Sequence, residues 1–438
     1  MTTPAEIKAK KRATWAWALW DWAEQPYPTM MQTFIFPVYL ASAVAAEGTN
    51  VDAQIGVATA IAGFLLAITA PIVGRRSDET GKRKFWLVTN TYLLVAIMIA
   101  SFFIQPKAEF LLAGLVLYGL GSVIQESAFI NYYAMLKQVT TEKNIGKVSG
   151  FAWGLGYVGG ILLLLFSLVG FYLPTTPWFG VSTNNSENIR VMFLFAGAWM
   201  TIFTIPLAIW VPELPAKPGR DKESLISAYS KLWSQLRILR KDSPDALRFL
   251  IASAIYRDGL AGVFSYGAIL GSVAFGFSPT AVIFFGIAAN IFAGLGAALG
   301  GVLDSRIGTR STIAASLFGL LIAGTGVFVF AGAGQITYWI GGLALCLFVG
   351  PAQASSRTFV AKFTPHGREG ELFGLYQTTG RAASFLSPSF WWLATAAAAA
   401  FGIAHTAIFG IIGIVLVLAV GLWLLLKVHP NPALLASN

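Results

Sequence analysis

Two stretches of the sequence share a spacing that decides the fold: GRRSDETGKR at residues 74–83 and GGVLDSRIGTR at residues 300–310. Each begins with a glycine, has an aspartate four residues later, and then has a glycine and an arginine two residues apart. Each also follows a long run of mostly apolar residues. Two glycine pairs further along are placed alike as well: Gly146 with Gly150, and Gly370 with Gly374. The chain is therefore predicted to be a duplication of one apolar helical unit.

The composition excludes most soluble classes of protein. Only 11% of the 438 residues are charged, against about 25% in a soluble average, while 56% are hydrophobic. Disordered, collagen-like and nucleic-acid-binding chains have a different composition. The net charge of +10 does not require a nucleic-acid partner, because loops that face anionic lipid are rich in basic residues. A single cysteine, Cys346, leaves no internal disulfide and no cysteine-based zinc cluster.

The apolar residues occur in runs long enough to cross a ~30 Å hydrocarbon layer as helices. An all-α membrane protein is therefore predicted, with twelve transmembrane helices in two pseudo-symmetric bundles of six. Pro26, Pro28 and Pro37 predict bending within the first span. The spans are placed at approximately 14–45, 53–74, 85–104, 108–138, 147–173, 190–212, 246–274, 279–303, 311–331, 336–360, 371–398 and 402–427.

The distribution of basic residues predicts the orientation. With an even number of spans both termini lie on one side, and nearly all loop lysines and arginines fall there; Lys107 and Arg190 are the exceptions. By the positive-inside rule both termini are predicted to be cytoplasmic, in a multi-pass protein of the plasma (inner) membrane. We expect a monomer whose partners are a small-molecule solute, protons and membrane lipids, with no nucleic acid, metal or cofactor.

A linker divides the two halves. Residues 1–212 are predicted as the N-terminal bundle, 213–245 as a cytoplasmic linker and 246–438 as the C-terminal bundle. The linker starts with a proline-rich stretch and then has apolar residues at helical spacing, which indicates an amphipathic helix on the inner leaflet. Its role is a tether or, alternatively, regulation. The apolar positions are Leu225, Tyr229, Leu232, Leu236 and Leu239.

The repeated loop resembles the signature of the major facilitator superfamily, in which a glycine, an aspartate, a glycine and basic residues follow the second span. The resemblance covers nearly the whole chain and implies a twelve-helix transporter that works by alternating access. It implies a gating role for Asp78, Arg83, Asp304 and Arg310, since a carboxylate near a helix end can make charge-assisted bonds in one packing arrangement only. The alternative is that these charges only set the topology.

A narrower resemblance is to the vacuolar amino-acid effluxer family and its bacterial relatives. It rests on residues 20–23 and 36–39 of the first span, 256–259 of the seventh, and 353–357 with 367–381 near the tenth and eleventh. It implies export or uptake of a small molecule, with amino acids as the best-attested substrate class. The chain departs from the family pattern at Glu24, Gln25 and Pro26.

Away from their ends, the predicted spans contain seven ionisable residues: Asp21, Glu24, Glu126, Arg257, Asp258, Arg357 and Arg381. A charge at the middle of an isolated span costs roughly 2.5–3.5 kcal/mol, so these groups are expected to face one another or a hydrated cavity. In the superfamily, spans one, four, seven and ten line the central cavity, and most of these residues lie there. With neighbouring polar residues they give the predicted substrate-binding set: Asp21, Glu24, Gln125, Glu126, Tyr133, Arg257, Asp258, Gln353, Arg357, Gln377 and Arg381.

The seven ionisable groups comprise four carboxylates and three guanidinium groups. The one extra carboxylate indicates that a member of the set binds a proton. We expect Glu126 to carry the proton, with Tyr133 and Lys137 on the same helical face, and Asp21 is a second candidate. A static ion pair of Glu126 with Arg381 or Arg257 is the alternative.

Three of these residues have predicted roles in ligand contact. Arg381 is predicted to bind a substrate carboxylate or, alternatively, to have a structural role. Asp21 and Asp258 are predicted to bind an ammonium group or to act as a gate. Four aromatic residues fit cavity walls or, more commonly, anchors at the membrane interface: Trp20, Trp22, Trp153 and Tyr157.

Other signals carry little. Gly154, Gly156 and Gly159 have the G-x-G-x-x-G spacing of dinucleotide sites, but they lie inside an apolar helix, where close helix packing explains them better.

No catalytic constellation or Walker loop is present, so the chain is not expected to be an enzyme. The sequence therefore predicts a secondary transporter of a small polar or zwitterionic solute, such as an amino acid or short peptide, with proton coupling. The alternatives are an exporter of amphiphiles, lipids or drugs, and a membrane sensor that does not transport.

Overall fold

The computed structural model describes residues 4–47, 49, 51–141, 143–215, 244–364, 368–403 and 406–429. These residues form helices and turns, with no strand among them. The predicted amphipathic helix of the linker lies outside the described residues. The longer α-helices are α1 (Pro4–Glu24), α2 (Val51–Thr80), α3 (Arg83–Phe102), α4 (Leu111–Ala134), α5 (Ile145–Ser167), α6 (Glu187–Trp210), α7 (Pro244–Ile269), α8 (Pro279–Ile307), α9 (Thr309–Val329), α10 (Gln335–Phe363), α11 (Glu369–Ala382), α12 (Leu386–Ala400) and α13 (Gly410–Leu426).

The chain divides into two compact units. The first unit comprises residues 1–139 and 155–218, and the second comprises residues 140–154 and 219–438. Helix α5 is shared, because its first turns belong to the second unit and its remainder to the first. The predicted division at residues 212 and 245 does not anticipate this sharing.

Nine helical stretches of the described residues are long and apolar enough to cross a membrane. The predicted spans outside this set are 14–45, 246–274 and 371–398. The first is interrupted after α1 by π-helical turns at Pro26–Phe34, and the eleventh is divided into α11 and α12. The seventh, α7, carries adjacent charges. Interruption and charge thus explain the difference from twelve, and these three spans hold most of the predicted ionisable residues.

The core of the first unit is built around the irregular end of the first span. The α-helix stops at Glu24, as the prolines predict, and the following turns bury Tyr27, Met30 and Phe36 completely. The Tyr27 hydroxyl donates to the Tyr118 carbonyl oxygen at 3.0 Å. Aromatic packing and this hydrogen bond replace the regular helical ladder at this point.

Glycines set the helix contacts of the second unit. The backbones of α8 and α10 approach so closely that a Cβ at Gly296 would overlap the Leu347 carbonyl oxygen. The first turns of α5 pack on α8 in the same way, since a Cβ at Gly154 would lie 3.1 Å from the Gly294 carbonyl oxygen. The glycine spacing in α5 is therefore a packing feature, as the sequence predicts.

Candidate functional site

A buried carboxylate in the first unit is held by two glutamine amides. Glu24 is 3% exposed and lies at the end of α1. Its Oε2 accepts from Gln125 Nε2 at 2.7 Å, and its Oε1 accepts from Gln25 Nε2 at 3.0 Å. We name Glu24, Gln25 and Gln125 the acidic cluster. It joins α1 to α4, two helices that the sequence predicts to line the solute path.

The surroundings of the acidic cluster are small and polar. Gln25 Oε1 accepts from the Thr29 hydroxyl at 3.2 Å, and a Cβ at Gly160 would lie 3.0 Å from that same oxygen. The Gln125 Oε1 atom is buried and has no hydrogen-bond partner among the described residues. A buried amide oxygen without a donor is costly, so this position can accept a hydrogen bond from a ligand that carries N–H or O–H groups.

The other predicted acidic residues of the first unit lie nearby on the same helices. Asp21 is buried in α1, and Glu126 is half-buried in α4. Tyr133 is buried and stacks on Phe129 with 5.2 Å between ring centroids. Helix α4 ends at Ala134, and Lys137 belongs to the separate short helix Leu136–Val139. The helical face that the sequence predicts for Glu126, Tyr133 and Lys137 is therefore interrupted before Lys137.

Interface anchoring is wrong for Trp20. Its side chain is fully buried, its Nε1 donates to the Thr91 hydroxyl at 3.1 Å, and its ring lies 4.4 Å from that of Tyr132. Trp22 is half-buried and stacks on Trp199 at 5.2 Å. These indoles stabilise the interior of the first unit, because helices without a hydrophobic driving force between them depend on such packing.

An arginine of the second unit is held by neutral groups. Arg257 donates to the Tyr376 carbonyl oxygen at 3.0 Å and to Gln377 Oε1 at 2.8 Å. Its guanidinium also lies 3.8 Å from the centre of the Tyr376 ring. A Cβ at Gly380 would lie 3.0 Å from an Arg257 nitrogen, so the glycine makes room for the guanidinium. The sequence predicts both Arg257 and Gln377, and the structure brings them together.

Asp258, on α7, contacts the break between α11 and α12. It is buried, and its Oδ2 accepts from the Ser387 backbone N–H at 2.5 Å, in the first turn of α12. A carboxylate here satisfies an amide that the interrupted helix leaves without a backbone partner. The sequence predicts an ammonium site or a gate at Asp258, and the observed contact is a helix cap.

Replacing Asp258 separates capping from charge. Asp258→Ala is expected to lower the free energy of unfolding by about 1–2 kcal/mol, because the Ser387 N–H loses its acceptor inside the protein. Asp258→Asn keeps an acceptor oxygen and should lose less. Denaturant unfolding in detergent measures both, with the exposed Glu109→Gln as a control. Equal losses for Ala and Asn would contradict capping.

Arg357 is held by the start of α5. It is 1% exposed and donates to the Ser149 hydroxyl at 2.9 Å and to the Ser149 carbonyl oxygen at 2.6 Å, while the Trp153 ring centre lies at 5.0 Å. These contacts fix the start of α5 within the second unit and favour a structural role. Gln353 and Arg381 are both half-buried, on α10 and in the last turn of α11.

The predicted gating residues differ between the units. In the first, Arg83 donates to Asp78 at 2.9 and 2.5 Å and to the Ala134 carbonyl oxygen at 3.1 Å. In the second, Asp304 accepts from Lys362 at 3.0 Å and from Thr309 at 2.7 Å. Arg310 instead donates to the Leu426 carbonyl oxygen at 2.7 Å.

Several hydrogen-bond and ion-pair partners of the predicted site residues were not predicted from the sequence. Gln25 belongs to the departure from the family pattern at residues 24–26, which was a usable signal. Lys362 lies five residues after Arg357, near the end of α10. Nothing in the sequence pairs this lysine with Asp304. Ser149 and Ser387 carry no signal. Within the described residues, no group of histidine, cysteine and acidic side chains could hold a metal ion.

Comparisons with known proteins agree with this architecture. The family model described as "Vacuole effluxer Atg22 like" matches residues 49–431. The uncharacterized MFS-type transporter YxiO of Bacillus subtilis (strain 168) is 27% identical over 405 residues, which cover 91% of each chain. Autophagy-related protein 22-1 of Neosartorya fischeri is 25% identical over 267 residues, which are 56% of this chain and 42% of that protein.

The fold has close counterparts among solved structures. That of the proton:xylose symporter XylE superposes with a TM-score of 0.70 at 12% identity, over 96% of this chain and 94% of that chain. This likeness shows the fold of the major facilitator superfamily, as the repeated loop predicts. Because the family model spans most of the sequence, the chain belongs to the vacuole effluxer Atg22-like family and is a multi-pass membrane transporter of the major facilitator type, not an enzyme.

Proposed function

We propose that this transporter moves a small zwitterionic solute, an amino acid or short peptide, by alternating access and with proton coupling. The observation that carries the proposal is Arg257. Its charge is held by a carbonyl oxygen, an amide oxygen and a ring, and it forms no ion pair with a carboxylate among the described residues. A guanidinium has five N–H donors, so three remain for a solute carboxylate.

The acidic cluster of the first unit supports the ammonium end of such a solute. Glu24 is a carboxylate whose two oxygens accept from amides, and the Gln125 Oε1 atom lacks a donor among the described residues. An ammonium group carries three donors and a positive charge, which suit a carboxylate and an amide oxygen. Taken by itself, each unit thus presents a group that suits one end of a zwitterion, whereas a purely apolar compound suits neither.

Proton coupling is proposed through Glu126, which is half-buried and adjacent in sequence to Gln125. The interiors of the predicted spans hold four carboxylates and three guanidinium groups, and this excess of one carboxylate supports a proton-exchanging member. The further proposals are an inner-membrane location, cytoplasmic termini and a monomer. They follow from the distribution of basic loop residues and from the two-bundle sequence pattern.

Flux measurements test the proposal. Protein reconstituted in liposomes is offered a mixture of labelled amino acids and dipeptides with and without a one-unit pH gradient. Accumulation of up to about tenfold is expected with the gradient if one proton moves per solute, since one unit corresponds to 1.36 kcal/mol. Glu126→Gln should equilibrate the solute without accumulating it.

The matched control is Glu109→Gln, at an exposed loop position of the same unit, which should behave as wild type. Accumulation by Glu126→Gln equal to wild type would overturn the assignment of the proton to Glu126. Absence of flux for every zwitterion, with intact folded protein, would overturn the proposed function as a whole.

A further inference from the structure

A groove of about 520 Å³ lies on the first unit, between the start of α3 and the end of α6. Its wall includes Phe85, Val88, Thr89, Tyr92 and Leu93. Val88 and Thr89 follow Phe85 by three and four residues, and Tyr92 and Leu93 follow those two by four residues each, so all five share one face of α3. Phe85, Tyr92 and Leu93 are 52%, 38% and 46% exposed. The proposed solute path does not use this outward-facing surface.

The length of the groove matches one leaflet of a bilayer. Lys84 is in the first turn of α3, and Leu93 is nine residues further, about 14 Å along the axis. Half of a ~30 Å hydrocarbon layer is ~15 Å. A cation at the helix end and an apolar wall of this depth have the layout of a lipid headgroup with one acyl chain.

The charge at the rim of the groove selects the headgroup. Lys84 Nζ donates to the Ala208 carbonyl oxygen at 3.2 Å and forms no ion pair among the described residues. An ammonium has three donors, so two remain. The neighbouring cation Lys82 is exposed, with its Nζ 5.9 Å from the Phe85 ring centre.

The acidic residue at the rim is already engaged. Glu213 accepts from the backbone N–H groups of Lys84 at 3.1 Å and Phe85 at 2.7 Å. These are free amides at the positive end of α3, so they offset the carboxylate charge. The uncompensated charge at the mouth of the groove is therefore that of the lysines, which favours an anion.

We propose that this groove binds one anionic glycerophospholipid, with its phosphate on Lys84 and one acyl chain along Phe85, Val88 and Leu93. The lipid headgroup is the source of the phosphate, because a free phosphate would leave the apolar wall uncovered. The site is independent of the proposed solute and holds the ends of α3 and α6 together through a shared ligand.

Lipid retention tests this site. Purified full-length protein is incubated with phosphatidylglycerol or phosphatidylcholine of equal chain length, and bound lipid is counted by native mass spectrometry. Phosphatidylglycerol is expected to bind at least fivefold more tightly than phosphatidylcholine. Lys84→Ala should abolish this preference, and Lys84→Arg should retain it.

Two further variants separate the contributions. Val88→Trp fills the groove while keeping Lys84 and should also weaken phosphatidylglycerol binding, whereas Lys107→Ala, an exposed lysine outside the groove, should not. Inorganic phosphate at the same concentration should not compete. An unchanged preference in Lys84→Ala, unchanged lipid binding in Val88→Trp, or competition by inorganic phosphate would each overturn the proposal.

Discussion

Gly296→Ala is expected to destabilise the second unit severely. A Cβ at this position would overlap the Leu347 carbonyl oxygen and lie 2.9 Å from its carbon and 3.1 Å from Pro351 Cδ. Backbone atoms of a neighbouring helix cannot rotate away as a flexible side chain can, so α8 and α10 must separate. Overpacking costs about 1–3 kcal/mol in ordinary cores, and a clash with backbone should reach or exceed the upper end. Thermal unfolding in detergent measures the loss.

Gly286→Ala is the matched control on the same helix. Apart from its own stretch of helix, no described residue places an atom within 4 Å of a Cβ at Gly286. Because alanine favours a helix over glycine by about 1 kcal/mol, this variant should be neutral or slightly more stable. A similar fall in melting temperature for both variants would show that glycine matters through the helix backbone and not through the α8–α10 contact.

The fold was predictable because its causes are local and periodic. Long apolar runs between basic loops predict membrane helices, and the repeated glycine–aspartate spacing predicts the superfamily, which the comparisons confirm. What the sequence does not predict is the shared helix α5. The contacts of Gly146, Gly150 and Gly154 with α8 join residues at least 140 positions apart, and no local pattern specifies such partners.

The candidate site was predictable in composition but not in pairing. Charges inside apolar spans predict a polar site within the protein, since exposure of these charges to lipid would be costly. Which groups meet depends on helix rotation. Asp78 meets Arg83 five residues on, as the loop spacing suggests, whereas Asp304 at the equivalent place meets Lys362 from another helix. The two repeats therefore have the carboxylate at equivalent positions, but its ion-pair partner differs between them.

Arg257→Lys is expected to lower the initial rate of solute transport by about 10-fold or more while the protein remains folded. Lysine keeps the positive charge but has no planar fork, so it cannot donate to the Tyr376 carbonyl oxygen, Gln377 Oε1 and a solute carboxylate at once, nor lie flat on the Tyr376 ring. Loss of one hydrogen bond to a charged group costs about 1.5–3 kcal/mol, which is 10-fold or more in affinity.

The matched control is Arg248→Lys on the same helix, where the arginine is exposed and pairs with Asp245 at 3.1 Å; its transport should equal wild type. A solute and its carboxamide analogue distinguish binding from structure. Wild type should prefer the carboxylate, and Arg257→Lys should lose that preference along with rate. A variant that loses rate equally for both solutes would place Arg257 among the groups that hold α7 against α11, because only direct contact with the carboxylate makes the loss depend on the solute's charge.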